Sequence, residues 1–274
     1  MNAVDFEYDG QYLSDFGFII CHFDGGAGLE TVSAGAEITF NTVAKRRGKA
    51  FTLVSSQYDS CITTTFQICK NVCDNDDSMV ITDDEYRDIA RWLNRTEFCE
   101  FMVLYDDEND AYRDPCYFNA GFNLSRITIG DELFGIELTL ETDSPFGYGP
   151  LVQRTYTITD SSGGDVTFTD PSDDIGYVYP DVVLTCSDSG AYNITNAMTG
   201  TVTTITGCTS GEVITMQGEP MIITSSLSTH DIASSFNFIF MKVGNTYASR
   251  QNTITVSKPC TLQISYNPIV KSFM

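Results

Sequence analysis

Phe134-Gly135-Ile136-Glu137-Leu138-Thr139-Leu140-Glu141 alternates large apolar residues with small or polar ones. Successive side chains of a strand point to opposite faces. Phe134, Ile136, Leu138 and Leu140 are therefore expected on a buried sheet face, and Gly135, Glu137, Thr139 and Glu141 toward solvent. The same period of two recurs in Ile62, Thr64, Phe66 and Ile68, and in Leu262, Ile264 and Tyr266. Helical periodicity is almost absent, so the chain reads as mostly β. Phe236 to Met241 is apolar on both parities, which predicts a strand covered on both faces or lying between subunits.

One segment departs from this pattern. Thr82-Asp83-Asp84-Glu85 has the spacing of a capping box, and acids suit the positive end of a helix. Tyr86, Ile89, Ala90 and Leu93 follow at i, i+3, i+4 and i+7, with Arg91 and Arg95 toward the C-terminal end. The spacing predicts a helix over about 82–95. Trp92, the only tryptophan, falls beside the apolar stripe; it is either a core residue or an aromatic anchor for a neighbouring chain. Behind the helix, the apolar run 101–105 and the acidic run 106–110 read as a hairpin with a solvated tip.

With 274 residues, the chain is long enough for about two domains. Ser144-Pro145-Phe146-Gly147-Tyr148-Gly149-Pro150 places two prolines and two glycines in seven residues, and the boundary is expected there, giving domains 1–147 and 148–274. The first holds 10 bases and 27 acids, the second 5 and 10. The second is rich in Ser and Thr, with short strands separated by turns, which suits a β-sandwich.

The net charge of −22 disfavours contact with nucleic acid or an anionic membrane. No apolar stretch is long enough for a membrane span, and Met1 to Glu7 is acidic where an export signal is basic and then apolar. Nine cysteines without a Cys-x-x-Cys pair are expected to be free thiols, with no zinc site.

The sequence offers little to an enzyme. His22 and His230 are the only histidines, and neither sits in a nucleophile or zinc motif. No cofactor motif is present; Gly25-Gly26-Ala27-Gly28 lacks the lysine of a phosphate loop. Asp74, Asp76, Ser78 and Glu85 have EF-hand ligand spacing, but Met79 stands where glycine is required. A solvated turn and a helix cap are expected instead. Against this acidic background Lys45-Arg46-Arg47-Gly48-Lys49 stands out. A basic patch that meets an acidic surface offsets the repulsion between like-charged copies, so Lys45, Arg46, Arg47 and Lys49 are candidate subunit contacts.

The order of these features resembles a known family. An opening Phe6-x-Tyr8, then Ser14-Asp15-Phe16-Gly17-Phe18-Ile19, the Arg46-Arg47-Gly48 loop, Trp92-Leu93-Asn94-Arg95 and Asp143-Ser144-Pro145-Phe146-Gly147 are similar to the N-terminal domain of the distal tail proteins (Dit) of long-tailed, non-contractile phages. Tyr179-Pro180, Ile194-Thr195-Asn196 with Thr199-Gly200, Gly211-Glu212-Val213-Ile214, Asn252 to Val256 and Ile264-Ser265-Tyr266-x-Pro268 resemble that family's galectin-like C-terminal domain.

The resemblance implies two β-sandwich-like domains and a structural, non-enzymatic role at the tail tip of a virion, assembled in the host cytoplasm. N-terminal domains would form a homohexameric ring between the tail tube protein and the tail-associated hub protein. C-terminal domains would project outward to hold receptor-binding or side-fibre proteins. It also implies an arm around residues 43–60 reaching the adjacent subunit, with Lys45, Arg46, Arg47 and Lys49 as its polar contacts; Trp92, in its reading as an aromatic anchor, is a further interface candidate. The competing reading is a carbohydrate-binding module or lectin-like adhesin, in which tyrosines of the second domain would replace the missing tryptophan platform.

Overall fold

The computed structural model describes residues 3–23, 38–44, 51–58, 60–71, 78–105 and 115–271. The chain divides into two compact units, 1–149 with 271–274, and 150–270. Both are built from antiparallel strands.

In the first unit the strands are β1 (Ala3–Tyr8), β2 (Gln11–Tyr12), β3 (Phe18–Cys21), β4 (Ile38–Ala44), β5 (Phe51–Tyr58), β6 (Thr63–Lys70), β7 (Cys99–Tyr105), β8 (Tyr117–Ile129), β9 (Glu132–Thr142) and β10 (Gly147–Tyr148). The main sheet runs β2-β1-β7-β8-β9-β6-β3. In a flat sheet β1 and β6, four positions apart, would be separated by ~19 Å at about 4.8 Å per strand. Yet Phe6 of β1 meets Phe66 of β6 at 5.7 Å between ring centroids. The sheet therefore curls around its own core, and Phe6 also touches Phe101 and Phe122.

Helix α1 (Asp83–Leu93) lies on this core. Thr82 and Glu85 form the expected capping box: Thr82 N donates to Glu85 Oε2 at 2.7 Å and Glu85 N donates to Thr82 Oγ1 at 3.3 Å. Ile89, Trp92 and Leu93 face inward. Buried Lys70 approaches Glu85 Oε1 at 2.7 Å. Burial pushes the Glu85 carboxyl up, but the Lys70 ammonium and the two Thr82 donors outweigh it and hold the group below its ordinary value.

The alternation that decides the fold is interrupted once. Ile127 pairs with Gly135 and Thr128 with Leu133, so Phe134 is the extra residue of a β-bulge. Ile136, Leu138 and Leu140 face the core as expected, but Leu133 enters it in place of Phe134, which is only partly buried. Gly135, expected toward solvent, is covered by the ring of Phe23, which lies where its Cβ would stand.

The second unit contains β11 (Val152–Ile158), β12 (Gly164–Thr169), β13 (Gly176–Val178), β14 (Asp181–Cys186), β15 (Gly190–Asn196), β16 (Thr201–Cys208), β17 (Val213–Gln217), β18 (Ile222–Ser225), α2 (Ile232–Ser235), β19 (Val243–Asn245), β20 (Gln251–Val256) and β21 (Cys260–Tyr266). Sheets β11-β21-β14-β17-β18 and β12-β20-β15-β16 form a sandwich, and β13 pairs with β19. Leu262, Ile264 and Tyr266 point inward as their spacing requires, opposite Tyr192, Ile194, Ile254 and Val256. The Tyr192 hydroxyl lies 2.8 Å from Pro259 O and accepts from Asp188 N at 3.1 Å, pinning two connections to the core. Burial pushes its phenol up to about 12.

Two fully buried asparagines join β19 to the sandwich. Asn196 Nδ2 donates to Asn252 Oδ1 at 2.8 Å and to Lys242 O at 2.6 Å. Asn252 Nδ2 donates to Gly244 O at 2.8 Å, and Gly244 N donates back to Asn252 Oδ1 at 3.0 Å. A buried polar group is tolerated when its partners are complete.

The strand expected at Phe236 to Met241 does not form. Phe236 makes one bridge to Ile205, and Asn237 then takes the place of a neighbouring strand along the edge of β16. Its side chain donates to Val202 O at 2.9 Å and accepts from Thr204 N at 3.1 Å. Phe238 has a φ of +57° and is 71% exposed. The run is apolar on both parities because Phe236 and Met241 turn inward while Phe238 and Ile239 turn out.

Candidate functional site

Strands β4 and β5 pair only with each other among the described residues. Ile38 lies opposite Tyr58 and Ala44 opposite Phe51, with a register shift between Asn41 and Thr42. Asn41 Nδ2 donates to Ser55 Oγ at 3.1 Å across the pair. At the base, Tyr58 meets Phe146 edge to face at 4.7 Å. Beyond that anchor the ribbon is exposed on both faces: Phe40 by 61%, Val43 by 60%, Leu53 by 54% and Val54 by 66%. A two-stranded ribbon is marginal in water unless a third strand or another packed element covers an apolar face. Five large apolar side chains, counting Ile38, make this one an apolar surface without a cover among the described residues.

Lys45, Arg46, Arg47 and Lys49, within residues 45–50 that join β4 to β5, lie outside the described residues. So do Asp74, Asp76 and the acidic tip at 106–110. Of the EF-hand pattern, Glu85 is already taken by Thr82 and Lys70. Among the described residues, no three His, Cys, Asp or Glu side chains come together as a metal-ligand cluster. The eight described cysteines are free thiols.

Trp92 is a correction to the interface reading. It is 3% exposed, stacks on Phe16 at 4.5 Å and Phe6 at 5.5 Å, and donates from Nε1 to Tyr8 O at 3.0 Å. Both ring faces and the indole N–H are spent inside the unit. The helical spacing could not decide this, because Trp92 flanks the apolar stripe and only the curl of the sheet brings Phe6 and Phe16 to it.

His230 of the second unit is held by two polar partners, and they are structural. Its Nδ1 lies 2.5 Å from Glu212 Oε1 and its Nε2 lies 2.9 Å from Thr206 O. Both partners are acceptors, which calls for the doubly protonated ring. Ser225 Oγ donates to the same Glu212 oxygen, not to the histidine. No hydroxyl is therefore placed for activation by the ring, as a serine relay needs.

The hydrogen bond to Glu212 raises the His230 pKa above 6.5, outweighing burial. Burial pushes the Glu212 carboxyl up, but the Ser225 and His230 bonds and the Thr209 amide leave it below 4.5. The Glu212 contribution to stability is present above pH 4.5 and fades as pH falls through its lowered pKa. The His230 contribution is complete below pH 6.5 and fades as pH rises through its raised one. Urea unfolding of the chain against its His230→Gln variant should therefore differ most between pH 4.5 and 6.5 and converge on either side.

The tyrosines proposed as a sugar platform are differently placed. Tyr177 is 56% exposed, but the Lys242 ammonium lies over its ring at 3.9 Å from the centroid. Tyr179 packs edge to face against it at 5.5 Å. Tyr247 stands out in solvent, 97% exposed.

Two β units, with a sticky ribbon standing outside the first core, define a protein that presents surfaces for assembly. The chain belongs to a family of phage tail proteins: residues 1–144 match the model described as phage tail protein N-terminal domain, and residues 146–266 the model described as phage tail C-terminal domain. It is therefore a structural component of a phage tail. Among solved structures it resembles SPP1 Dit (gp 19.1), described as a paradigm of the hub adsorption apparatus in phages infecting Gram-positive bacteria. The TM-score is 0.63 at 11% identity, covering 96% of this chain and 98% of that one. The fold is thus that of a Dit protein. No curated protein sequence matches the chain. No helix among the described residues is long and apolar enough to cross a membrane.

Proposed function

We propose that this chain is a distal tail protein whose first unit assembles into a homohexameric ring at the tail tip. The ring joins the tail tube protein to the tail-associated hub protein. The second unit projects outward and carries receptor-binding or side-fibre proteins. Assembly takes place in the host cytoplasm, and the finished ring is part of the virion.

The observation that carries this reading is the β4–β5 ribbon. It offers apolar side chains on both faces outside its own core, and closing a ring requires each copy to present two different, complementary patches. The ribbon supplies one of them. Lys45, Arg46, Arg47 and Lys49 belong to the same arm and add polar contacts in a chain of net charge −22. The family membership supports a tail role, and the Dit fold supports a place at the hub. The purified chain should give six-fold annuli in negative-stain electron microscopy and a hexamer mass in light scattering. A strictly monomeric sample at high concentration would end this reading.

A further inference from the structure

We infer that residues 226–237 of the second unit form a pH-sensitive strap, which closes the free edge of β16 while both nitrogens of His230 carry a proton and lets go when one proton leaves. The strap is independent of the ring proposed above. Within its sheet β16 pairs with β15 on one side only. Residues 230–237 lie along the other side without forming a strand. Asn237 N donates to Thr204 O at 3.1 Å, and the Asn237 side chain accepts from Thr204 N and donates to Val202 O. Further along the edge, Thr206 Oγ1 donates to Ser235 O at 3.2 Å, and His230 Nε2 donates to Thr206 O at 2.9 Å. An uncovered strand edge is a template for a strand of another chain, and the strap occupies it.

The middle of the strap has few holds besides the histidine. No residue of α2 is buried, and Ile232 packs only partly on the core. Phe236 is buried at one end, and Ser226 is tied to Val213 at the other. A segment with so few buried apolar contacts opens at lower cost than the core. The His230 side chain, 7% exposed, bridges Glu212 ahead of β17 and Thr206 on β16. Both partners only accept, so a neutral ring, with one N–H, turns a lone pair toward one of them. Glu212 and the Cys208 thiol at the end of β16 face the ring, and each favours the proton when ionised. Exposed Asp231 follows on the strap itself, and Cys186 of β14 lies against Cys208. The Glu212 bond outweighs burial and raises the His230 pKa above 6.5. The latch is therefore complete at and just below pH 6.5, where Glu212 is still ionised, and is lost as pH rises through the raised value.

Hydrogen/deuterium exchange of the full chain tests this, read by mass spectrometry at about pH 6 and about pH 9 with labelling times scaled to the intrinsic exchange rate. Peptides from β16 and from 226–237 should exchange about tenfold faster at the higher pH, the worth of one charge-assisted hydrogen bond, while β20 and β21 stay equally protected at both. His230→Gln, which has no titrating proton, should abolish the difference between the two conditions. Cys208→Ser should respond as the native chain does. Equal protection of the native chain at both pH values overturns the strap. So does a native-like response in His230→Gln, or loss of the response in Cys208→Ser. A response in 226–237 without one in β16 would mean that the strap does not close the edge. Should His230→Gln fail to fold, the native chain and Cys208→Ser still decide the matter.

Discussion

Replacing Phe40, Val43, Leu53 and Val54 together by serine is expected to convert a ring-forming chain into a folded monomer. All four side chains are more than half exposed, so the isolated subunit loses little packing when they shrink. The ring loses far more. If a neighbour covers the exposed part of each, at about 1.5 kcal/mol apiece, the variant forfeits about 6 kcal/mol per contact, or about 10⁴-fold in affinity. Light scattering should report monomer mass at concentrations where the native chain is assembled, with β content unchanged by circular dichroism. An unchanged ring would show that the ribbon is not a subunit contact. A different interface would then be needed, although the family membership would be unaffected.

The largest effect on stability is expected at Trp92. Trp92→Ala should cost about 3–5 kcal/mol, because the indole fills the space between Phe6 and Phe16 and the helix cannot collapse onto a curled sheet held by its own ladder. Tyr8 O would also lose its donor. That is a large share of the roughly 5–15 kcal/mol that holds a typical protein. Trp92→Phe keeps an aromatic surface and gives up the hydrogen bond, for about 1–2 kcal/mol. Urea unfolding followed by circular dichroism separates the two, since the native fluorophore is lost in both. Equal and small costs for the two variants would mean that the ring is not part of the core. Assembly of Trp92→Phe should be native-like; a folded Trp92→Phe that fails to assemble would return Trp92 to the interface.

These two sites mark how far the sequence could be read. The ribbon, β4 with β5, overlaps only in part the stretch 43–60 for which the resemblance implies an arm, and its apolar faces are not legible in the sequence, because exposure depends on what stands above a strand and not on the strand's own residues.

Phe236 to Met241 shows the limit of pattern reading. Apolar residues on both parities fit a doubly covered strand, but the same run serves as an edge-capping loop once Asn237 pairs with β16.

By itself the sequence determined what depends on near neighbours: the period of two that makes strands, the Thr82–Glu85 capping box and the Gly- and Pro-rich stretch near residue 147. Those signals act over a few residues, through side-chain direction and backbone sterics, and they do not wait for the chain to fold. Tertiary structure decided the bulge that exchanges Phe134 for Leu133, the seat of Trp92, the Asn196–Asn252 link and the His230–Glu212 pair. Each depends on groups far apart in the chain, and the free energy that settles them, from desolvation and completed hydrogen bonds, exists only once the sheets have closed.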